Sequence, residues 1–234
     1  MKLVAALSGL LLSIPVFADS IIVNGTRFIY KENDKEVTVQ LSNTADRPSL
    51  AQVWLDDGDP EATPDKISTP FIINPPVSRI DPHSGQVIRI KLSPGSRLSQ
   101  TKESIWWLNV LDIPGSSKAD KAPEGAGLFK MAVRSRFKLI YRPDSLSGRS
   151  SAIEKIKLQP AGSSLTMTNP TPFYITVATI SPDGGEPINS DAVMLAPQSS
   201  QTISLRQTVH AGEKLMLEEI NDYGALAKSK ATAG

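Results

Sequence analysis

The chain has 234 residues, 25 Lys and Arg against 24 Asp and Glu, and no cysteine. A near-neutral balance excludes a general nucleic-acid binder, which needs a surplus of cations along its contact face. Without cysteine there is no disulfide scaffold, so the fold must be held by burial alone.

Met1-Lys2 is followed by an uncharged apolar run to Val16 and by small Ala18. A basic start, a short apolar core and a small residue before the cut describe a secretory signal peptide at residues 1–18, removed to leave residues 19–234. The run is shorter than the ~20 apolar residues a membrane-spanning helix needs, and no later segment is long and apolar enough, so no membrane insertion is expected. Loss of Lys2 leaves 24 cationic against 24 acidic residues.

Short strand-like runs then follow, punctuated by 18 Pro and 15 Gly. In the first half they cover residues 21–30, 36–43, 51–56, 71–74, 86–92 and 105–111. Val37, Val39 and Leu41 alternate with Thr38 and Gln40, as a half-buried antiparallel strand requires. Trp54 is expected in a core, where large aromatics dominate. Trp106 and Trp107, adjacent in one strand, must face opposite ways. Residues 115–127 form a Gly-, Ser- and Lys-containing loop. After it comes the most regular stretch of the chain, residues 129–142. Phe129, Met131, Val133, Phe137, Leu139 and Tyr141 are apolar on one parity; Lys130, Arg134, Arg136, Lys138 and Arg142 are cationic on the other. This period of two predicts one long strand, oily on one face and basic on the other. Such a strand at a sheet edge offers free N–H and C=O groups beside an apolar stripe and invites pairing with another chain.

Pro143 stops that ladder, and the strand pattern restarts over residues 153–159, 164–169, 174–181, 192–195, 201–205 and 214–220. Many short strands with regular turn signals and no sustained helical period predict an all-β protein of two β-sandwich domains, residues 19–142 and 143–234; a single large β-barrel is the alternative.

Nothing in the chain has the spacing of a catalytic or metal site. The two histidines, His83 and His210, lie in separate turn-like segments without a second His or Cys nearby. There is no G-x-S-x-G, no P-loop and no G-x-G-x-x-G after a strand. The acidic pairs Asp56-Asp57 and Glu218-Glu219 point to opposite faces if extended and are expected to be solvated. The expectation is no enzyme, no cofactor and no metal.

Several segments, in order, carry a family likeness: Thr26-Arg27; Ala51-Gln52-Val53-Trp54; Pro75-Pro76-Val77-Ser78-Arg79; Glu103-Ser104 before Trp106-Trp107-Leu108-Asn109-Val110; Ile113-Pro114; and Arg136-Phe137-Lys138-Leu139-Ile140-Tyr141-Arg142-Pro143. Asn169-Pro170-Thr171-Pro172-Phe173-Tyr174 and Ile220-Asn221-Asp222-Tyr223-Gly224 continue it. With these the chain resembles the periplasmic pilus-assembly chaperones of Gram-negative bacteria. The resemblance implies two immunoglobulin-like domains set as an L or boomerang. It implies a chaperone that binds, folds and caps pilin subunits by donor-strand complementation and delivers them to an outer-membrane usher. Phe129, Met131 and Val133 would be the donated side chains, and Arg27 and Lys138 would anchor the subunit's C-terminal carboxylate. Glu103, Arg142 and Asp222 would form an inter-domain charge network. The loop at residues 115–127 is moderately long for the short-loop class of this family, but the absent cysteine pair resembles that class, and a free strand edge leaves self-association open to the unloaded protein. The alternative is a secreted two-domain adhesive or carbohydrate-binding β-sandwich, which needs an exposed aromatic platform or an acidic calcium-type loop. Only Trp106-Trp107 and Asp56-Asp57-Gly58-Asp59 offer material for either.

Overall fold

A computed structural model describes residues 21–115 and 131–234. The expected signal peptide, most of the loop before the long strand, and Phe129 lie outside the described residues. Among those residues the molecule is built from strands, with two short 3-10 turns at Arg149–Ser151 and Ile153–Lys155.

The first lobe contains β1 (Ile21–Val23), β2 (Arg27–Lys31), β3 (Val37–Asn43), β4 (Ser49–Asp56), β5 (Phe71–Asn74), β6 (Val77–Ile80), β7 (Gly85–Leu92), β8 (Ser104–Pro114) and β9 (Val133–Arg142). They form two facing sheets, in the orders β1-β3-β7-β5 and β2-β9-β8-β4-β6. The second lobe contains β10 (Lys157–Ala161), β11 (Ser164–Asn169), β12 (Ile175–Pro182), β13 (Val193–Leu195), β14 (Ser199–Ser204), β15 (Lys214–Ile220) and β16 (Leu226–Thr232). Its sheets run β10-β11-β14 and β13-β12-β15-β16.

Each sandwich has its own core. In the first, alternation delivers Val39 and Leu41 from β3, Ile88 and Ile90 from β7, Leu108 and Val110 from β8, and Leu139 and Tyr141 from β9. In the second, Leu165, Met167, Ile175, Val177, Leu195, Leu215 and Leu217 do the same around Phe173. Each large side chain taken fully out of water contributes about 1.5–3 kcal/mol, which is how a cysteine-free chain holds two sandwiches. Buried Asn43 is satisfied by the backbone: it donates to the carbonyls of Arg47 and Ile80 at 2.8 and 3.0 Å.

In the first lobe the strand expectations need correction at three places. Residues 21–30 are not one strand. The chain turns at Gly25, where φ is +136°, a conformation side-chain-bearing residues rarely adopt. This sends β1 to one sheet and β2 to the other, where β2 pairs in parallel with β9 from Arg27↔Lys138 to Lys31↔Arg142. The long strand begins at Val133; Met131 and Ala132 precede it in irregular backbone. Trp54 is not in the core: Val53 and Leu55 take the inward positions on β4, and Trp54 faces the other way.

Candidate functional site

The strand β9 carries the site because two different neighbours flank its two halves. From Val133 to Tyr141 it pairs antiparallel with β8, from Asp112↔Val133 to Ser104↔Tyr141. On the other side β2 covers it only from Lys138 onward. Residues 133–137 therefore keep one unpaired backbone edge among the described residues. On the inward parity of this stretch, Phe137 packs against the core and Val133 is half-buried, while Met131 just before the strand is 55% exposed.

The outward parity of β9 faces a set of groups aligned by register. Asp56 on β4, Trp107 on β8, Lys138 on β9 and Arg27 on β2 lie in one row across the sheet. Trp54, Asn109 and Arg136 form the next. Arg136 and Lys138 both sit over the Trp107 ring, at 4.8 and 5.7 Å from its centroid, a cation–π arrangement. Trp106, its neighbour, goes the other way and meets Phe71 edge-on in the core, as strand alternation requires. Asp56 was expected in solvent, yet it is 1% exposed. Its carboxylate accepts from Arg136 Nη2 at 2.5 Å and Nε at 3.2 Å, from Asn109 Nδ2 at 2.7 Å and from the Gly58 N–H at 2.8 Å. Arg136 is thus committed within its own sheet.

Arg27 and Lys138 are different. Both reach across to the second lobe, and both find only neutral oxygens there. Arg27 Nη1 donates to the Ile220 carbonyl at 2.7 Å, and Lys138 Nζ donates to Thr176 Oγ1 at 2.9 Å. Arg27 Nε is buried without an acceptor. Among the described residues neither cation makes an ion pair. Burial, and then the charge of Arg27, push the Lys138 amine down to about 8. Burial, and then Arg149, lower Arg27. Two adjacent, partly desolvated cations without a directly paired carboxylate among the described residues are costly unless something supplies one, and a carboxylate with several acceptor positions is the complementary group.

Arg142, at the far end of β9, is fully partnered. It donates to Glu103 Oε1 at 2.6 Å and holds Asp222 with two bonds, from Nη1 at 2.6 Å and Nη2 at 2.9 Å. Glu103, whose side chain is 0% exposed, also accepts from the Tyr174 N–H at 2.7 Å, and its own N–H donates to the Pro172 carbonyl at 2.9 Å. Burial pushes the Glu103 carboxyl up, with Arg142 pulling against it; Asp222 is less secluded, and Arg142 and Arg149 hold it below the usual carboxylate range. The structure so brings Glu103, Arg142 and Asp222 together at the lobe junction, and Arg27 with Lys138 beside them.

Two participants escaped the sequence reading. Arg149, in the segment after Pro143, pairs with Glu219 at 3.1 Å and approaches Asp222 at 3.5 Å. Glu219 was expected in solvent but is 3% exposed. Its parity with Leu215 and Leu217 on β15 was the available signal, whereas nothing in the spacing announced Arg149.

Against this geometry, residues 20–147 match the family model described as the pili and flagellar-assembly chaperone PapD N-terminal domain. Residues 151–231 match that of the pili-assembly chaperone PapD C-terminal domain. The chain is 55% identical to the chaperone protein MrkB of Klebsiella pneumoniae over 99% of both chains. It is 36% identical to the chaperone protein FimB/FhaD of Bordetella pertussis, over 97% of this chain and 95% of that one. Among solved structures, the CupB2 chaperone of Pseudomonas aeruginosa superposes with a TM-score of 0.77 at 31% identity, covering 91% of this chain and 100% of that one.

Proposed function

The chain belongs to the pilus-assembly chaperone family, and from that membership we propose how it handles a pilin subunit. An incomplete subunit offers a strand to the unpaired edge of residues 133–137, and the main-chain bonds fix its register. A guest strand laid in line with β2 runs parallel to β9, as β2 does, and its last residue arrives where β2 begins. That is the position of Arg27 and Lys138, which take the terminal carboxylate. Val133, Met131 and Phe129 alternate toward the subunit's open groove; each such side chain, if large and fully buried, contributes about 1.5–3 kcal/mol.

The observation that carries this reading is the pair of cations at the closed end of a half-open strand edge, each hydrogen-bonded to a neutral oxygen and, among the described residues, neither to a carboxylate. The surrounding triad of Glu103, Arg142 and Asp222 holds the lobes so that both cations face one space.

The leader expected at residues 1–18 takes the chain to the periplasm. There it folds and caps the subunit and passes it to an outer-membrane usher. The transfer draws on the subunit's own folding, completed when another subunit's strand replaces β9. The same exposed edge lets two unloaded copies pair. The first domain ends near Arg142 and the second begins at Pro143.

Co-expression with candidate pilins, followed by purification from the periplasm, tests the anchor. The wild-type chain is expected in a one-to-one complex. Arg27→Ala and Lys138→Ala each remove a charge-assisted bond and are expected to weaken capture about 10- to 100-fold while circular dichroism shows a folded protein. Full-strength complexes with both folded variants would remove the anchor assignment.

A further inference from the structure

Arg27 lies in the field of two carboxylates, Glu219 and Asp222, and pairs with neither. It donates to the carbonyl of Ile220, the residue that follows Glu219 and comes two before Asp222. Both carboxylates act on it electrostatically. What holds them elsewhere is Arg149. Its Nη1 donates to Glu219 Oε2 at 3.1 Å, its Nε lies 3.5 Å from Asp222 Oδ1, and both the Arg149 and Glu219 side chains are nearly sealed, 11% and 4% exposed. Gly148, with φ of +81°, turns the segment after Pro143 so that the 3-10 turn at Arg149 faces β15. Asp222 is further occupied by two bonds from Arg142, and across the junction Asp56 is occupied by Arg136. Glu219, Asp222 and Asp56 are thus each engaged by a cation other than Arg27 or Lys138.

We propose that Arg149 is a positioning residue: it sequesters Glu219, and helps sequester Asp222, so that Arg27 reaches the incoming subunit carboxylate without an internal competitor. The inference rests on the anchor reading above. Without Arg149, the buried Glu219 carboxylate loses its partner, and Arg27 is a neighbouring cation without one. An ion pair formed within the protein does not pay the entropy of association, so it would outcompete a guest carboxylate. A second view, that Arg149 merely adds positive potential, makes a different forecast: removing Glu219 as well would not restore capture.

The test uses the full-length chaperone co-expressed with a pilin that the wild-type chain captures, scored as the fraction of folded chaperone recovered in the one-to-one complex. Arg149→Gln is expected to lower that fraction about tenfold, the loss of one charge-assisted bond. Glu219→Gln alone, which frees Arg149 and removes the competitor, is expected to capture at least as well as wild type. The double variant Arg149→Gln/Glu219→Gln, a neutral pair of similar shape, is expected to return to within about twofold of wild type, because the competitor is gone. A double variant as poor as Arg149→Gln, or an Arg149→Gln protein that captures normally, would overturn the inference. If Arg149→Gln does not fold, a Glu219→Gln protein that loses capture is sufficient to overturn it. Failure of the wild-type chain to capture any candidate pilin, or normal capture by Arg27→Ala, would instead sink the anchor reading underneath.

Discussion

Lys138 carries its charge against burial and a neighbouring guanidinium, which hold the amine near 8. A bound carboxylate favours the protonated form, so capture takes up a proton wherever the empty protein has already lost it. Capture is therefore expected to be flat below about 8 and to weaken above it by up to about tenfold per pH unit. Folding responds with the opposite sign. An unfolded lysine titrates near ~10.4, so between the folded value and that one the unfolded chain binds more protons, and the Lys138 contribution to stability rises with pH. Titrating complex formation and thermal stability across this window checks both slopes; capture that strengthens with pH would show that Lys138 does not hold the carboxylate. At this scale the sequence showed much of the chemistry but little of the pairing. The cationic parity of Arg136, Lys138 and Arg142 was plain, yet only the fold separates their duties. Asp56 engages Arg136, Glu103 and Asp222 engage Arg142, and Lys138 is left with a hydroxyl. Asp56 was misjudged because its cover comes from another strand.

Among the elements, β9 was legible as an alternating strand, and its usefulness lies in a detail that alternation does not encode. The edge is open over residues 133–137 because the chain changes sheets at residues 24–26, which starts β2 opposite Lys138 and no earlier. Gly25 was the local sign of that break. Two strands went unseen for compositional reasons. In β16, Leu-Ala-Lys-Ser-Lys-Ala-Thr has few β-branched or aromatic residues and is held by its pairing with β15. The four-residue β6 follows Pro75-Pro76, a pair that ordinarily marks a break. Residues 153–155 were expected to extend a strand and instead form a 3-10 turn before β10.

For the whole molecule, two separately cored sandwiches are joined by charges rather than by a shared apolar interior. Arg142 belongs to the first lobe's last strand yet holds Glu103 from its own lobe and Asp222 from the other, and its guanidinium lies 5.6 Å from the Phe173 ring centroid. Removing one member of a buried network leaves the others uncompensated, so Arg142→Ala is expected to cost about 3–5 kcal/mol. Calorimetry is expected to resolve separate melting of the lobes in that variant; an unshifted single transition would mean the triad does not couple them. The restart of strand patterning after Pro143 made two domains legible, but the joint depends on residues some 80 positions apart, such as Arg142 and Asp222, which no spacing argument pairs. Function rests on the half-open stretch of β9 being the place where the subunit's strand is added. Amide hydrogen exchange of residues 133–137, measured for the chaperone alone and in its pilin complex, is the decisive experiment: amides there are expected to exchange readily in the free protein and to become strongly protected on binding, and unchanged exchange in a complex of proven stoichiometry would rule out strand addition at this edge.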